Sequence, residues 1–110
     1  MSLPRFAAGQ VVTVFRSRLR DDADDGYVAL DERLRARAEA LGGLVELKSF
    51  SADDGERVTV VTFADRASHT RWAGDEEHRA AQRLGRGALY AEYSIQVGEC
   101  SRAVEFTPEA

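Results

Sequence analysis

Apolar residues change their period several times along the chain, and each change marks an element. Residues 9–19, GQVVTVFRSRL, are rich in β-branched and aromatic side chains with no breaker after Gly9, which predicts a strand. The acidic run DDADD at 21–25 follows and offers N-cap residues for a helix. Tyr27, Leu30, Leu34, Ala38 and Leu41 then recur at steps of three and four, which lines them along one helical face. Arg33, Arg35 and Arg37 lie toward the C-terminal end, where the helix dipole favours positive charge. Gly42 and Gly43 end the helix, because glycine readily takes the left-handed conformation of a C-cap.

Two strands come next, LVELKSFS at 44–51 and RVTVVTFA at 57–64. Between them stand Asp53, Asp54, Gly55 and Glu56, and an Asp-Gly pair between apolar strands predicts a tight hairpin. In the second strand Val58, Val60 and Thr62 alternate with Thr59, Val61 and Phe63, so neither face carries charge. Both faces are expected to be covered, one by helices and the other, in so short a chain, by a partner subunit.

Asp65 is the N-cap of the following helical segment, which Gly74 and Asp75 divide into two pieces, with Asp75 capping the second. On that second piece His78, Ala81, Gln82 and Gly85 share a face, and the small neighbours leave room for a pocket beside the imidazole. The last apolar stretch, LYAEYSIQVGECSRAVEF at 89–106, sets Ala91, Tyr93, Ile95 and Val97 against Tyr90, Glu92, Ser94 and Gln96, as a half-buried strand does. Gly98 predicts a bulge or bend within it. Strand, helix, strand, strand, helix, strand is the order of an α+β, ferredoxin-like βαββαβ fold. It predicts a four-stranded antiparallel sheet with the helices on one face and the other face left to a second copy.

Composition narrows the function. A chain of 110 residues suits one domain over 1–110, with its core at about 10–100 and short extensions at both ends. Nineteen acidic against fifteen basic residues leave a net charge of -4 with no basic block, which argues against nucleic acid as a partner. The apolar runs fall far short of the roughly 20 residues that span a bilayer, and MSLPRFAAGQ lacks the apolar stretch of a signal peptide. A cytoplasmic protein with no membrane association is therefore expected. Cys100 is the single cysteine, which excludes an internal disulfide and any thiolate-pair metal site; a small, semi-buried strand residue is its simplest role.

Candidate chemistry gathers in RWAGDEEHRAAQ, residues 71–82, where the single tryptophan precedes one of two histidines by six positions. His78 has the residue type for proton transfer near neutral pH. Trp72 offers a flat apolar face and one N–H donor. Both residues also admit a plain structural role, Trp72 in a core or interface and His78 at a helix cap or in solvent. His69, among Ser68, Thr70 and Arg71, is expected in solvent. Arg16 and Arg18 could touch a ligand or stabilise a subunit edge, and Tyr90 and Tyr93 could lend hydroxyls or simply pack.

VVTVFRSRL, the helix ending in LGG, DDGERVTVVTFAD, WAGDEEHRAAQRLGR and LYAEYSIQV together resemble the antibiotic biosynthesis monooxygenase family over roughly residues 10–100. The resemblance implies a homodimer, a dimeric α/β barrel with the sheets packed face to face and a cavity between each sheet and its helices. It implies oxidation of a small aromatic or polyketide-like phenol by molecular oxygen, with no cofactor and no metal. On that reading Trp72 packs against the substrate, His78 takes a proton, and Arg86, or less favourably Arg83, holds the developing oxyanion. Related dimers that degrade haem carry an asparagine on the first strand. Phe15 stands where that residue is expected, and the Trp-to-His separation is too short for the haem motif. A noncatalytic module that holds a small apolar ligand, or serves a stress response, uses the same cavity and remains the alternative.

Overall fold

The computed structural model describes residues 5–23 and 26–108. Strand β1 (Val11–Leu19) is followed by α1 (Gly26–Leu41), the hairpin β2 (Leu44–Ser51) and β3 (Arg57–Phe63), the short helices α2 (Arg66–Ala73) and α3 (Glu76–Ala88), and β4 (Tyr90–Glu99). The strands form one antiparallel sheet in the order β2-β3-β1-β4. This is the expected α+β ferredoxin-like arrangement. Each half contributes a strand, helices and a strand, and the crossovers place all the helices on one face. Asp24 and Asp25, two of the N-cap candidates, lie outside the described residues.

The predicted breakpoints have physical counterparts. Gly42 and Gly43 both adopt positive φ, +84° and +81°, and the Gly43 carbonyl accepts from Ala64 N–H at 2.7 Å. A Cβ on Gly43 would fall 2.3 Å from the Ser68 Cβ, so both backbone conformation and close approach to α2 require glycine there. In the hairpin, Gly55 N–H donates to Ala52 and Ala52 N–H to Glu56, with Gly55 at φ +89° closing the turn.

The core is divided. Ala38, Val61, Phe63 and Trp72 form one buried cluster, and Leu30, Ala81 and Leu89 form another. On the helix-covered face of β3, Val61 and Phe63 are buried; on the open face Val58 and Val60 are only half-buried.

The final strand departs from expectation in two ways. β4 ends at Glu99 rather than continuing to 106, because among the described residues β1 is its sole hydrogen-bonded neighbour and their pairing runs out at Val11↔Glu99. Apolar residues at Val104 and Phe106 do not extend a strand that has no partner. The irregularity is also not at Gly98, which pairs in register with Val12; it lies opposite Arg18 and Leu19, where Leu19 meets Tyr90. That shift carries Tyr90 to the same face as Tyr93, against the simple alternation. Cys100 sits just past the strand, half-buried, with its N–H donating to Gln10 at 2.7 Å.

Among the described residues no helix is long and apolar enough to cross a membrane.

Candidate active site

Asp65 and Asp75 set the local geometry. Asp65 accepts from Ser68 N–H at 2.8 Å and starts α2, while Gly74 ends it. Asp75 then accepts from His78 N–H at 2.9 Å and starts α3. The interruption brings two residues together that a continuous helix would separate. Six positions apart, Trp72 and His78 would otherwise point about 120° apart and sit about 9 Å apart along the axis. Across the Gly74–Asp75 break their ring centroids lie 4.1 Å apart, with planes inclined by 35°.

Arg37 of α1 fixes that arrangement from behind. Its guanidinium donates to both Asp75 carboxylate oxygens, at 2.7 and 2.9 Å. This fork holds the Asp75 carboxyl down to about 2, with the His78 N–H adding to the effect. The cap thus stays ionised and α3 starts at a defined place against α1.

Trp72 and His78 line a cavity of about 410 Å³ between the sheet and the helices. Its floor is β1, with Thr13, Phe15 and Ser17 facing inward, and β3, with Thr59 and Val61. One wall is aromatic: Phe15 meets Tyr90 edge-on at 5.4 Å and Tyr93 at 5.6 Å. The cavity opens along β4, where Ile95 and Val97 are 43% and 54% exposed although they face inward.

Trp72 is 8% and His78 4% exposed. Among the described residues the buried side-chain atoms without a hydrogen-bond partner include Trp72 Nε1, His78 Nδ1 and Thr13 Oγ1, all from cavity-lining residues. Buried polar atoms are ordinarily paired, so three unpaired ones among the residues that line one cavity set this region apart. Burial pushes the His78 imidazole below its ordinary value, against the opposing pull of Asp75 and the Trp72 backbone. The ring is therefore neutral at pH 7 and able to accept a proton.

Arg86 also lines the cavity, but at a distance from this pair. It lies eight residues beyond His78 on α3, about 12 Å along the helix. The three candidate residues thus share one cavity; Trp72 and His78 are in contact, and Arg86 belongs to the other end, with Tyr27 and Tyr90. Arg83 does not line the cavity and pairs with Glu76 at 3.2 Å.

His69 corrects the sequence-based expectation. It is half-buried and lines the cavity, with its ring 6.2 Å from Trp72 and 6.3 Å from Phe63. Burial, aided by Arg66, lowers its proton affinity. The signal was present in the sequence: His69 precedes Trp72 by three positions and so shares its helical face. Arg16 and Arg18 lie on the opposite, open face of the sheet, pairing with Glu56 at 2.7 Å and Asp54 at 2.8 Å. Among the described residues no three His, Cys, Asp or Glu side chains cluster so as to hold a metal ion.

No protein-family model matches the chain. It is 28% identical over 89 residues to the uncharacterised protein YqjZ of Bacillus subtilis (strain 168), covering 81% of this chain and 78% of that one. Among solved structures, SnoaB, a cofactor-independent oxygenase from Streptomyces nogalater, superposes with a TM-score of 0.72 at 16% identity, over 93% of this chain and all of that one (100%). An antibiotic biosynthesis monooxygenase superposes at 0.69 and 14% identity, covering 86% of this chain and 99% of the other. The resemblance drawn from the sequence and the likeness in three dimensions meet in one conclusion: this chain has the ferredoxin-like fold of the antibiotic biosynthesis monooxygenases.

Proposed function

We propose that the protein is a cofactor-independent monooxygenase that oxidises a small aromatic or polyketide-like phenol with molecular oxygen. The observation that carries the reading is the contact of the Trp72 and His78 rings, with centroids 4.1 Å apart, in the wall of a cavity whose lining is largely aromatic and aliphatic. A phenol placed against this pair would pack on the indole face and give its proton to the neutral imidazole. The phenolate is electron-rich enough to reduce oxygen itself. One oxygen atom is added to a ring carbon that loses its hydrogen, the second leaves as water, and the product is a quinone. The electrons come from the substrate. Negative charge spreads through a conjugated scaffold, so Arg86 at the far end would stabilise the delocalised anion. SnoaB, which shares the fold, is itself a cofactor-independent oxygenase.

A homodimer formed through the open sheet face belongs to the same proposal. Val12, Val14, Val58 and Val60 make an apolar strip there, and Phe50 beside them is 51% exposed. A second copy would cover the strip and brace the strands that floor the cavity.

Oxygen uptake with an activated naphthol or anthrone tests the reading. Turnover that is lost in His78→Ala supports it. Quenching of Trp72 emission without oxygen uptake would instead identify a noncatalytic binding module.

A further inference from the structure

The cavity is polarised, and at its second end the phenol chemistry engages Arg86 but not the two tyrosines beside it. β1 runs beneath it from Thr13, near Trp72 and His78, to Ser17, a span of about 13 Å at the usual rise per strand residue. At the Ser17 end the wall is formed by Tyr27 from α1, Tyr90 from β4 and Arg86 from α3. Behind Tyr27 stands Arg57, directly across from Ser17 in the sheet, with its guanidinium 4.6 Å from the Tyr27 ring centre. Arg57 Nε is buried without a hydrogen-bond partner. Neither Arg57 nor Arg86 forms an ion pair among the described residues, whereas Arg16, Arg18 and Arg37 all do.

We propose that this end is a carboxylate-recognition subsite, in which the Tyr27 and Tyr90 hydroxyls and the Arg86 guanidinium receive an acidic group on the ligand while Arg57 orients and polarises Tyr27. It rests on the reading of the cavity as a site for an aromatic phenol and specifies the substrate class: a flat aromatic acid with its reactive hydroxyl and its carboxylate at opposite ends. The groups here are donors. Burial raises Tyr90 to about 12, with Tyr27 and Asp31 adding to the effect, and burial likewise raises Tyr27, so both phenols keep their protons. Asp31, one turn beyond Tyr27 and outside the wall, helps hold them protonated. Two hydroxyl donors and an unpaired guanidinium complement a carboxylate, and the flat rings of Phe15 and Tyr93 admit the planar scaffold that carries it.

The test is isothermal titration calorimetry at pH 7.5 under nitrogen, with 6-hydroxy-2-naphthoate, its methyl ester and 2-naphthol as probes. The acid is expected to bind about tenfold or more tightly than the ester, the size of one charged hydrogen bond. Tyr27→Phe and Arg57→Met should each shrink that preference, Arg57→Lys should restore part of it, and His78→Ala should retain it. Circular dichroism identifies any variant that has failed to fold, and Tyr27→Phe, which keeps the ring, serves where Arg57→Met does not fold. Equal binding of acid and ester by the wild-type protein overturns the subsite while leaving the phenol reading intact. An acid preference that survives both Tyr27→Phe and Arg57→Met overturns it as well. If none of the three probes binds, the cavity reading fails, and the subsite with it.

Discussion

His78 and Trp72 divide the work of one small volume in different ways. An imidazole that burial has pushed down is protonated only below its ordinary range, so the acid limb of kcat/KM should have its midpoint below pH 6.5. The same shift bears on stability. In the window between the lowered folded value and the unfolded value near 6.5, the unfolded chain binds more protons, so stability rises with pH through that window and is lost on acidification. Urea denaturation across pH 5 to 8 measures it, and His78→Gln should flatten the curve. His78→Ala should cut turnover by roughly 100-fold or more while leaving ligand binding. Trp72→Phe keeps most of the apolar bulk; it should weaken ligand binding and lower stability by about 1 kcal/mol, read by calorimetric titration and denaturation. A histidine variant with wild-type rate across this pH range would show that the ring is there for packing.

At the scale of elements, the Gly74–Asp75 break makes the site and Gly43 holds it in place. Asp75→Ala removes both the cap and the Arg37 fork, so the first turn of α3 should fray and the melting midpoint fall by roughly 5 °C or more. Asp75→Asn keeps a capping oxygen but loses the ionic fork. It should fall between the two in stability, and a difference in activity between it and wild type would measure what Arg37 contributes to placing His78. Gly43→Ala forces a side chain into positive φ and against Ser68, and should destabilise by about 2 kcal/mol or more. Denaturant midpoints separate these outcomes. Full stability in Gly43→Ala would mean that α2 is not seated on that glycine.

At the scale of the whole molecule, the proposed second copy would cover the open sheet face. The radius of gyration is 15.2 Å, against about 13 Å for a compact chain of this length. Residues 100–108 form no helix or strand and lie mostly exposed past β4, which lengthens the molecule. On the open face the ion pairs of Arg16 and Arg18 lie at one end of the valine strip; exposed pairs of that kind add little stability and delimit a patch rather than fill it. Light scattering at micromolar concentration should give twice the 12.1 kDa chain mass. Val60→Asp, in the middle of the strip, should give a monomer. A wild-type monomer would remove the partner from the proposal and leave the strip unexplained.

Local pattern determined the elements and their order. Strand alternation, the face from Tyr27 to Leu41, paired glycines and two aspartate caps are interactions between near neighbours, and each is legible wherever its residues stand close in sequence. The Trp72–His78 pair was legible for the same reason, since the break that joins them lies between them. Tertiary structure decided what depends on register. The shift opposite Arg18 and Leu19 turned Tyr90 into the cavity, the end of β1 stopped β4 at Glu99, and the seating of α2 on Phe63 brought His69 inward from solvent. Arg57 shows the limit most clearly. Thirty positions separate it from Tyr27, and only strand pairing and helix packing together place its guanidinium over that ring. Periodicity specifies which face a residue occupies, but not which residue of another element it will meet.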